Sequence, residues 1–196
     1  MARLYVMTTI AVVKKGGTVA IAADTLTKWG SGKESAVYIA NSEKILKIGA
    51  NYLAVTGNAT FKLILRDYFI EQGNEIQLSN PMEIFRTWNR LHLALKEKYF
   101  LMPEEDKEDA IESTRMDVLI ANSHGIFGVS GHRTVQEFSK FYAYGSGSDY
   151  ALGALWASYD RKGLSAAQIA RRAIEAAGEF DDGTGPPVQS YSVRLR

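Results

Sequence analysis

The chain has 196 residues, a length that suits one domain with a sizeable hydrophobic core. Hydrophobic residues make up 46% and charged residues 23%, and the net charge of +1 argues against nucleic acid or an anionic membrane as the main partner. The absence of cysteine excludes disulfides, thiolate metal sites and cysteine nucleophiles. There is no transmembrane-length apolar run and no signal-peptide pattern at the N-terminus, so a cytoplasmic location is expected.

The first half of the chain has the pattern of short strands. Two of them are predicted at 8–13 and 18–23, on either side of a turn at Gly16-Gly17, and a polar loop is predicted over 28–34. Further short strands are predicted at 36–39, 44–48 and 52–56.

The pattern then changes to that of helices. Apolar residues spaced i, i+3, i+4, i+7 and i+8 from Phe61 predict a helix that ends at Gly73. A second helix is predicted to begin at Ser79-Asn80-Pro81, because proline suits the first helical position. Its apolar face is expected to consist of Ile84, Phe85, Trp88, Leu91 and Leu95. The acidic stretch 103–112 is interpreted as a solvated connection.

Strands return in the second half. They are predicted at 116–121 and 125–129, with an extended segment over 135–144. A helix of small residues follows, and such residues allow close approach of a neighbour within or between subunits. These small residues are Ala151, Gly153, Ala154 and Ala157.

A last helix and a last strand complete the pattern. Ser165 and Gln168 form a capping-box pattern that opens the helix, which is predicted to run to Ala177, and the final strand is predicted at 188–195. The order of strands, two helices, strands, two helices and a strand suggests antiparallel sheets with helices outside. An α+β four-layer α/β/β/α sandwich satisfies this order.

The start of the first strand carries possible chemistry. A threonine at the first position of a mature chain has a hydroxyl nucleophile and a free α-amine, of pKa about 7.7–8.0, that can act as its base. Seven residues precede Thr8, so this chemistry requires cleavage of the Met7–Thr8 bond. Taken alone, the segment is no more than an ordinary strand start.

Four separated motifs change that interpretation. They are 8–10 with 22–25, 42–48, 54–59, and the turns 144–148 and 181–185. Together they resemble the proteasome-type β subunits of the N-terminal nucleophile hydrolases, and are similar to the bacterial HslV-like threonine peptidases. The resemblance covers Thr8 to the end of the chain. It implies one proteasome-like domain over 8–196, with 1–7 as a leader or propeptide-like extension.

The resemblance implies a catalytic role for each matching residue. Thr8 corresponds to the nucleophile, Lys44 to the catalytic lysine and Asp24 to the carboxylate that supports this lysine. Gly57 corresponds to the glycine whose N–H forms the oxyanion hole. Many relatives carry a small residue and an acid after this glycine, whereas Thr60-Phe61 stands here, so substrate preference is not transferred.

The two glycine-rich turns complete the implied site. Ser146 corresponds to the serine of the Gly-Ser-Gly turn that lies near the nucleophile. Asp181 and Thr184 correspond to the aspartate and hydroxyl residue that orient the threonine, with Thr184 where many relatives have serine. A hydroxyl is retained at this position, so the hydrogen-bonding role can survive.

The resulting hypothesis is a threonine-type endopeptidase with Thr8 as its processed N-terminal nucleophile. The family implies a homo-oligomeric ring, peptide or unfolded-protein substrates and a possible ATPase unfoldase. No metal or organic cofactor is required, and the three histidines have no metal-ligand spacing. They are His92, His124 and His132, and the scattered Trp29, Trp88 and Trp156 are interpreted as core or interface residues.

Three alternatives stay open. The chain could be an N-terminal nucleophile amidohydrolase that acts on small amides, using the same residues. It could also be a catalytically silent assembly subunit that keeps its leader. The leader itself could be a self-cleaved propeptide, or Met7 could be the true initiator, removed by ordinary processing.

Overall fold

The computed structural model describes residues 7–73, 76–102 and 110–196. The strands among them are β1 (Thr9–Lys15), β2 (Thr18–Ala23), β3 (Thr27–Trp29), β4 (Gly32–Glu34), β5 (Ile45–Ile48), β6 (Asn51–Val55), β7 (Val118–Asn122), β8 (Gly125–Val129), β9 (Val135–Phe138), β10 (Phe141–Gly145) and β11 (Gln189–Arg194). The helices are α1 (Phe61–Gln72), α2 (Pro81–Glu97), α3 (Ser148–Tyr159) and α4 (Ala166–Phe180).

The strands form two main antiparallel sheets and one small hairpin. The first sheet has the strand order β10-β1-β2-β11, and the second has the order β5-β6-β7-β8-β9. β3 and β4 pair only with each other. Short turns join β1 to β2 in the first sheet and β5 to β6, β7 to β8 and β8 to β9 in the second, a connection that antiparallel pairing allows.

Three apolar clusters define four layers. The cluster between the sheets includes Ile10, Val12, Ile21, Leu119 and Ile126. A second cluster joins the outer face of the first sheet to α3 and α4 and includes Ala11, Val13, Ala20, Leu155 and Ala173. A third joins the second sheet to α1 and α2 and includes Leu65, Trp88, Leu91, Ile120 and Phe127. The predicted α/β/β/α sandwich is therefore confirmed.

The alternation of side chains along β1 sets the geometry of the site. Successive residues of a strand point to opposite faces. Ile10 and Val12 face the second sheet, whereas Ala11 and Val13 face the helices. The site that lies at the start of β1 therefore has two sides, one toward the space between the sheets and one toward α3 and α4.

The helix starts agree with the sequence signals. Asn80 caps α2 by accepting a hydrogen bond from the N–H of Glu83 at 3.0 Å, and Pro81 follows as the first helical residue. Both halves of the capping box between Ser165 and Gln168 are present at α4. α4 continues to Phe180, beyond the predicted end.

Two predictions in the first quarter of the chain are wrong. The segment 28–34 is not a loop, since β3 and β4 pair there as a hairpin. The segment 36–39 is not a strand, because the N–H groups of Tyr38 and Ile39 both donate to the carbonyl of Ser35 in a tight turn. β-branched and aromatic residues form a strand only where a neighbouring strand is in place.

Two further expectations need correction. The extended segment 135–144 is two strands, with β9 in the second sheet and β10 in the first, so the chain crosses between layers at residues 139–140. The predicted apolar face of α2 is buried except for Phe85, which is 42% exposed because it lies about 100° around the helix from Ile84.

Other expectations concern surface residues. Trp88 is buried, whereas Trp29 and Trp156 are exposed on this single chain. Gly153 of the small-residue helix is also exposed. Part of the acidic connection, 103–109, lies outside the described residues, as do leader residues 1–6. Within the ranges that the structure describes, no helix is long and apolar enough to cross a membrane.

Candidate active site

Thr8 lies immediately before β1, whose first five residues are buried, and is itself only 2% exposed. Its hydroxyl donates a hydrogen bond to the carbonyl oxygen of Met7 at 2.8 Å. Its own carbonyl accepts one from the N–H of Ser146 at 2.9 Å. The nucleophile expected from the sequence is therefore held by its main chain and lies next to Met7.

A small cleft runs past Met7 and Thr8. Lys44 and Gly57 line the same cleft, so the structure brings together three residues that are 36 and 13 positions apart in the chain. Its apolar lining comes from Leu26, Val55 and Ala59. The cleft also includes Lys62, whose ammonium donates to the carbonyl of Asn41 on the rim.

Lys44 forms a buried ion pair with Asp24. Its ammonium donates to both carboxylate oxygens, at 2.8 and 2.9 Å, and to the carbonyl of Leu26 at 2.5 Å. The lysine side chain is 10% exposed and the aspartate is fully buried. All three ammonium protons thus have acceptors, which fixes the ammonium at the edge of the cleft.

Asp24 is also held by main-chain donors. Its Oδ1 accepts from the N–H of Thr9 at 3.0 Å, and its Oδ2 accepts from the N–H groups of Leu26 at 3.0 Å and Gly185 at 3.3 Å. A buried charge is tolerated when it is paired and its lone pairs are satisfied. Asp24 therefore connects Lys44, β1 and the loop before β11.

Burial acts on the protonation of both members of this pair. It lowers the pKa of Lys44 from its usual value, and the nearby carboxylate of Asp24 opposes that change. It also raises the pKa of Asp24, which Lys44 and the main-chain donors oppose. Both changes in pKa arise from the cost of burying charge, and the pairing of the ammonium with the carboxylate opposes each of them.

Gly57 has a backbone conformation that explains its residue type. It lies between β6 and α1 at φ +105°, a region that side chains other than glycine rarely adopt. A Cβ there would lie 2.8 Å from the carbonyl oxygen of Arg115 and 3.1 Å from the ring of Phe61. α1 begins only at Phe61, after a turn in which the side chain of Asn58 accepts from the N–H of Thr60 at 2.9 Å.

The other three expected residues form a second cluster. Asp181 accepts hydrogen bonds from Ser146 Oγ at 2.7 Å and from Thr184 Oγ1 at 2.6 Å, both on its Oδ2. Thr184 Oγ1 also lies 2.6 Å from the hydroxyl of Thr9. The threonine side chain that this cluster reaches is thus that of Thr9 rather than Thr8. Its link to Thr8 runs through the N–H of Ser146.

The strand alternation explains this difference. Thr9 shares a face with Ala11 and Val13, toward the helices, where Thr184 lies. Thr9 is not among the site residues predicted from the motifs. The available signal was the period-2 pattern itself, since two adjacent threonines on a strand must point to opposite sides.

Two glycines of the Gly-Ser-Gly turn allow close contact with both threonines. A Cβ at Gly145 would lie 1.8 Å from the carbonyl oxygen of Thr8, and Gly145 has φ +105°. A Cβ at Gly147 would lie 2.5 Å from Thr9 Oγ1. The N–H of Gly147 instead donates to Thr9 Oγ1 at 3.0 Å. The turn is therefore glycine-rich because the backbone lies against β1.

The loop that carries Asp181 and Thr184 is fixed on its outer side as well. Lys28 of β3 has a buried side chain that ion-pairs with Asp182. Gly183 faces the leader, since a Cβ there would lie 1.9 Å from Cβ of Met7. The hairpin that the sequence did not predict therefore supports the site.

The histidines lie apart from this site in the structure. His92 is buried on α2, and its Nε2 lies 2.9 Å from Glu112 Oε2, so its role is to pair with this carboxylate within the fold. In 7–73, 76–102 and 110–196, no group of three or more His, Asp or Glu side chains is arranged to hold a metal ion.

Comparisons with known proteins give strong matches across the chain. This chain is 59% identical to the solved structure described as Thiobacillus denitrificans BPH. The match covers 96% of this chain and 99% of that one, with a TM-score of 0.92. The same protein in complex with epoxomicin is 58% identical, covers 96% of this chain and 100% of that one, and has a TM-score of 0.91.

A relative with a descriptive name is more distant. The ATP-dependent protease subunit HslV of Caldicellulosiruptor saccharolyticus is 28% identical over 183 residues, 90% of this chain and 93% of that protein. No family model matches the chain. These matches confirm the resemblance inferred from the four motifs and the class of threonine-type peptidase. The chain is a proteasome-type β subunit of the threonine-peptidase class, similar to the bacterial HslV-like proteases.

Proposed function

We propose that Thr8 is the nucleophile of this threonine endopeptidase and that opening the Met7–Thr8 bond makes it active. The observation that carries the proposal is the shared cleft of Thr8, Lys44 and Gly57, with Asp24 behind the lysine. These groups come from separate parts of the chain. Their convergence on one cleft is what a nucleophile with its supporting groups requires.

The free α-amine of Thr8 is the base in this scheme. It accepts the hydroxyl proton as Oγ1 bonds to the scissile carbonyl carbon, and the N–H of Gly57 donates to the resulting oxyanion. The amine then returns the proton to the leaving nitrogen as the C–N bond breaks, which leaves an acyl ester on Thr8. Water then attacks the ester carbonyl while the same amine takes its proton. The C–O bond to Thr8 Oγ1 breaks, this oxygen takes the proton from the amine, and the acid is released.

Lys44 contributes charge at the attacking oxygen. An ammonium beside Thr8 favours the ionised hydroxyl and lowers the pKa of the neighbouring amine toward neutral pH. Asp24 keeps this ammonium in place through bonds of 2.8 and 2.9 Å. Ser146, Asp181 and Thr184 orient the strand end that carries Thr8.

Processing is part of the same proposal. In the chain that retains Met7, the Thr8 hydroxyl lies 2.8 Å from the carbonyl oxygen of Met7. The nucleophile is thus already next to the bond that must be cut, which supports self-cleavage of a leader. If Met7 is instead the initiator methionine and is removed by ordinary processing, the mature chain also begins at Thr8.

The central experiment compares wild-type protein with Thr8→Ala, and the conservative Thr8→Ser serves as the matched control. Intact mass and N-terminal sequencing should find a wild-type chain that begins at Thr8. Peptidase activity of Thr8→Ala should fall by at least about 10⁴-fold, as expected when a nucleophile is removed. Activity that survives in Thr8→Ala, or an active chain that retains residues 1–7, would contradict the assignment.

The relative in complex with epoxomicin supplies a second readout. We expect epoxomicin to inhibit the wild-type chain and to add its mass to the N-terminal residue. Thr8→Ala should gain no such mass. Small amides assayed beside peptides distinguish an endopeptidase from a small-amide hydrolase.

Assembly and partners belong to the proposal as well. A relative is named an ATP-dependent protease subunit, which supports a homo-oligomeric ring that receives unfolded protein from an ATPase. Native mass spectrometry should therefore find a closed oligomer, and folded substrates should be degraded only when an unfoldase and ATP are present. A cytoplasmic location is proposed with this partner, and cell fractionation tests it.

A further inference from the structure

The hydroxyl of Thr9 is fully buried and ordered by two partners. Its oxygen accepts from the N–H of Gly147 at 3.0 Å and lies 2.6 Å from Thr184 Oγ1. Thr184 has only one hydroxyl proton, which it donates to Asp181 at 2.6 Å. Thr9 must therefore donate to Thr184, so the direction of the chain of hydrogen bonds is fixed from Gly147 to Asp181.

The main chain of Thr9 is bound to the other half of the site. Its N–H donates to Asp24 Oδ1 at 3.0 Å, and its carbonyl accepts from the N–H of Asp24 at 3.3 Å. Asp24 in turn holds Lys44 at 2.8 Å. Thr9 is thus bonded directly to both of the carboxylate-centred clusters of the site.

The position of Thr8 follows from these bonds. The peptide unit between Thr8 and Thr9 is planar, and both of its polar atoms are bonded, the carbonyl to Ser146 at 2.9 Å and the N–H to Asp24. A Thr9 side chain held at the far end leaves this unit no room to rotate. Cα of Thr8 is therefore fixed relative to Lys44, and the hydroxyl can move only by rotation about the Cα–Cβ bond.

We propose that Thr9 is a positioning residue whose hydroxyl fixes the reactive geometry of Thr8. The inference rests on the proposed function of Thr8 and assigns Thr9 no contact with substrate. Without the hydroxyl, the Thr8–Thr9 peptide can tilt, and a small displacement of a nucleophile has a large effect on the chemical step. Substrate binding in the cleft depends on other residues.

The test is Thr9→Val, which keeps the branched shape and removes the hydroxyl, with Thr9→Ser as the matched control that keeps it. Activity is divided by the number of chains that begin at Thr8, which intact mass counts, so that differences in processing do not affect the comparison of kcat. We expect kcat of Thr9→Val to fall about 10- to 100-fold with KM changed less than about threefold. Thr9→Ser should retain kcat within about threefold.

A second variant keeps the inference testable if Thr9→Val fails to fold. Thr184→Val breaks the same hydrogen bond from the loop, and we expect the same separation of kcat from KM. When both single variants fold, Thr9→Val/Thr184→Val should lose little more than either alone, because the two hydroxyls act as one unit.

The outcomes separate the two proposals. If the wild-type protein is active through Thr8 but Thr9→Val or Thr184→Val leaves kcat unchanged, the role of Thr9 alone is overturned. Equal losses in Thr9→Ser and Thr9→Val also overturn it, since the hydroxyl is then not what matters. If the wild-type protein has no peptidase activity, or if Thr8→Ala is equally active, both the proposed function and the role of Thr9 are overturned.

Discussion

Asp24 and Asp181 hold the start of β1 from opposite sides and do so by different physical means. Asp24 is fully buried and uses both oxygens, with an ammonium and three main-chain N–H groups as partners. Asp181 is only partly buried and uses one oxygen for two hydroxyl donors. The comparison indicates that the first position requires a charge, whereas the second requires an acceptor.

The largest effect is expected from Asp24→Asn. The amide of asparagine keeps only one acceptor oxygen, so its NH₂ group faces either the N–H of Thr9 or the N–H groups of Leu26 and Gly185. The substitution also leaves the buried ammonium of Lys44 without a counter-charge. Breaking a buried ion pair in this way costs about 3–5 kcal/mol. Denaturant unfolding should show a loss of that size, and peptidase activity should fall by at least about 100-fold.

The paired variant Asp24→Asn/Lys44→Met serves as its control. Removing the ammonium as well should recover part of the lost free energy of unfolding, because no unpaired charge is left. Activity should not return, since the cleft then has no lysine at this position. Full stability in Asp24→Asn alone would show that the charge at Asp24 is dispensable and would end the contrast with Asp181.

A smaller effect is expected from Asp181→Asn. Both hydroxyl donors bind the same oxygen, so the amide oxygen of asparagine can replace it and keep both bonds. Only the charge assistance is lost, which reduces the free energy of unfolding by about 1–2 kcal/mol. We expect kcat to fall less than about tenfold, whereas Asp181→Ala should resemble Thr184→Val. A loss in Asp181→Asn as great as in Asp24→Asn would contradict the comparison.

The smallest effect is expected from Gly183→Ala in the mature chain. A Cβ at this position collides with Met7, so it is tolerated only after Met7 has been removed. Met7 supplies the nearest atoms to this Cβ, so in the processed protein the free energy of unfolding should change by no more than about 0.5 kcal/mol. In Thr8→Ala chains that intact mass shows to retain Met7, Gly183→Ala should lower the melting temperature measurably. Equal shifts in both backgrounds would show that the leader does not contact this loop.

Much of the fold was predictable because its elements follow simple periods. β1, β2, α1 and α2 each have one apolar face or a continuous apolar run. The hairpin β3–β4 was missed because Lys28 and its neighbours are polar and short strands of this kind carry little pattern. The crossing at 139–140 was missed because periodicity does not show when a strand leaves one sheet for another.

The site was predictable only in part. Asp24, Lys44 and Gly57 were predicted because they match family motifs, and the structure brings Lys44 and Gly57 to the cleft beside Thr8. Thr9 was not predicted because it follows another threonine, and the family motif gives a role only to the first of the two, Thr8. Which hydroxyl meets Thr184 depends on the sheet that each face of β1 packs against, and that is a tertiary property.

The placement of Thr8 reverses the usual behaviour of a chain end. Terminal residues ordinarily fray, and their amides exchange with solvent at little free-energy cost. Here the proposed new terminus leads directly into β1, which lies between two paired strands and has its first five residues buried. The α-amine that cleavage creates would thus begin in one of the most rigid places in the molecule, and hydrogen exchange at Ile10 should be as slow as global unfolding.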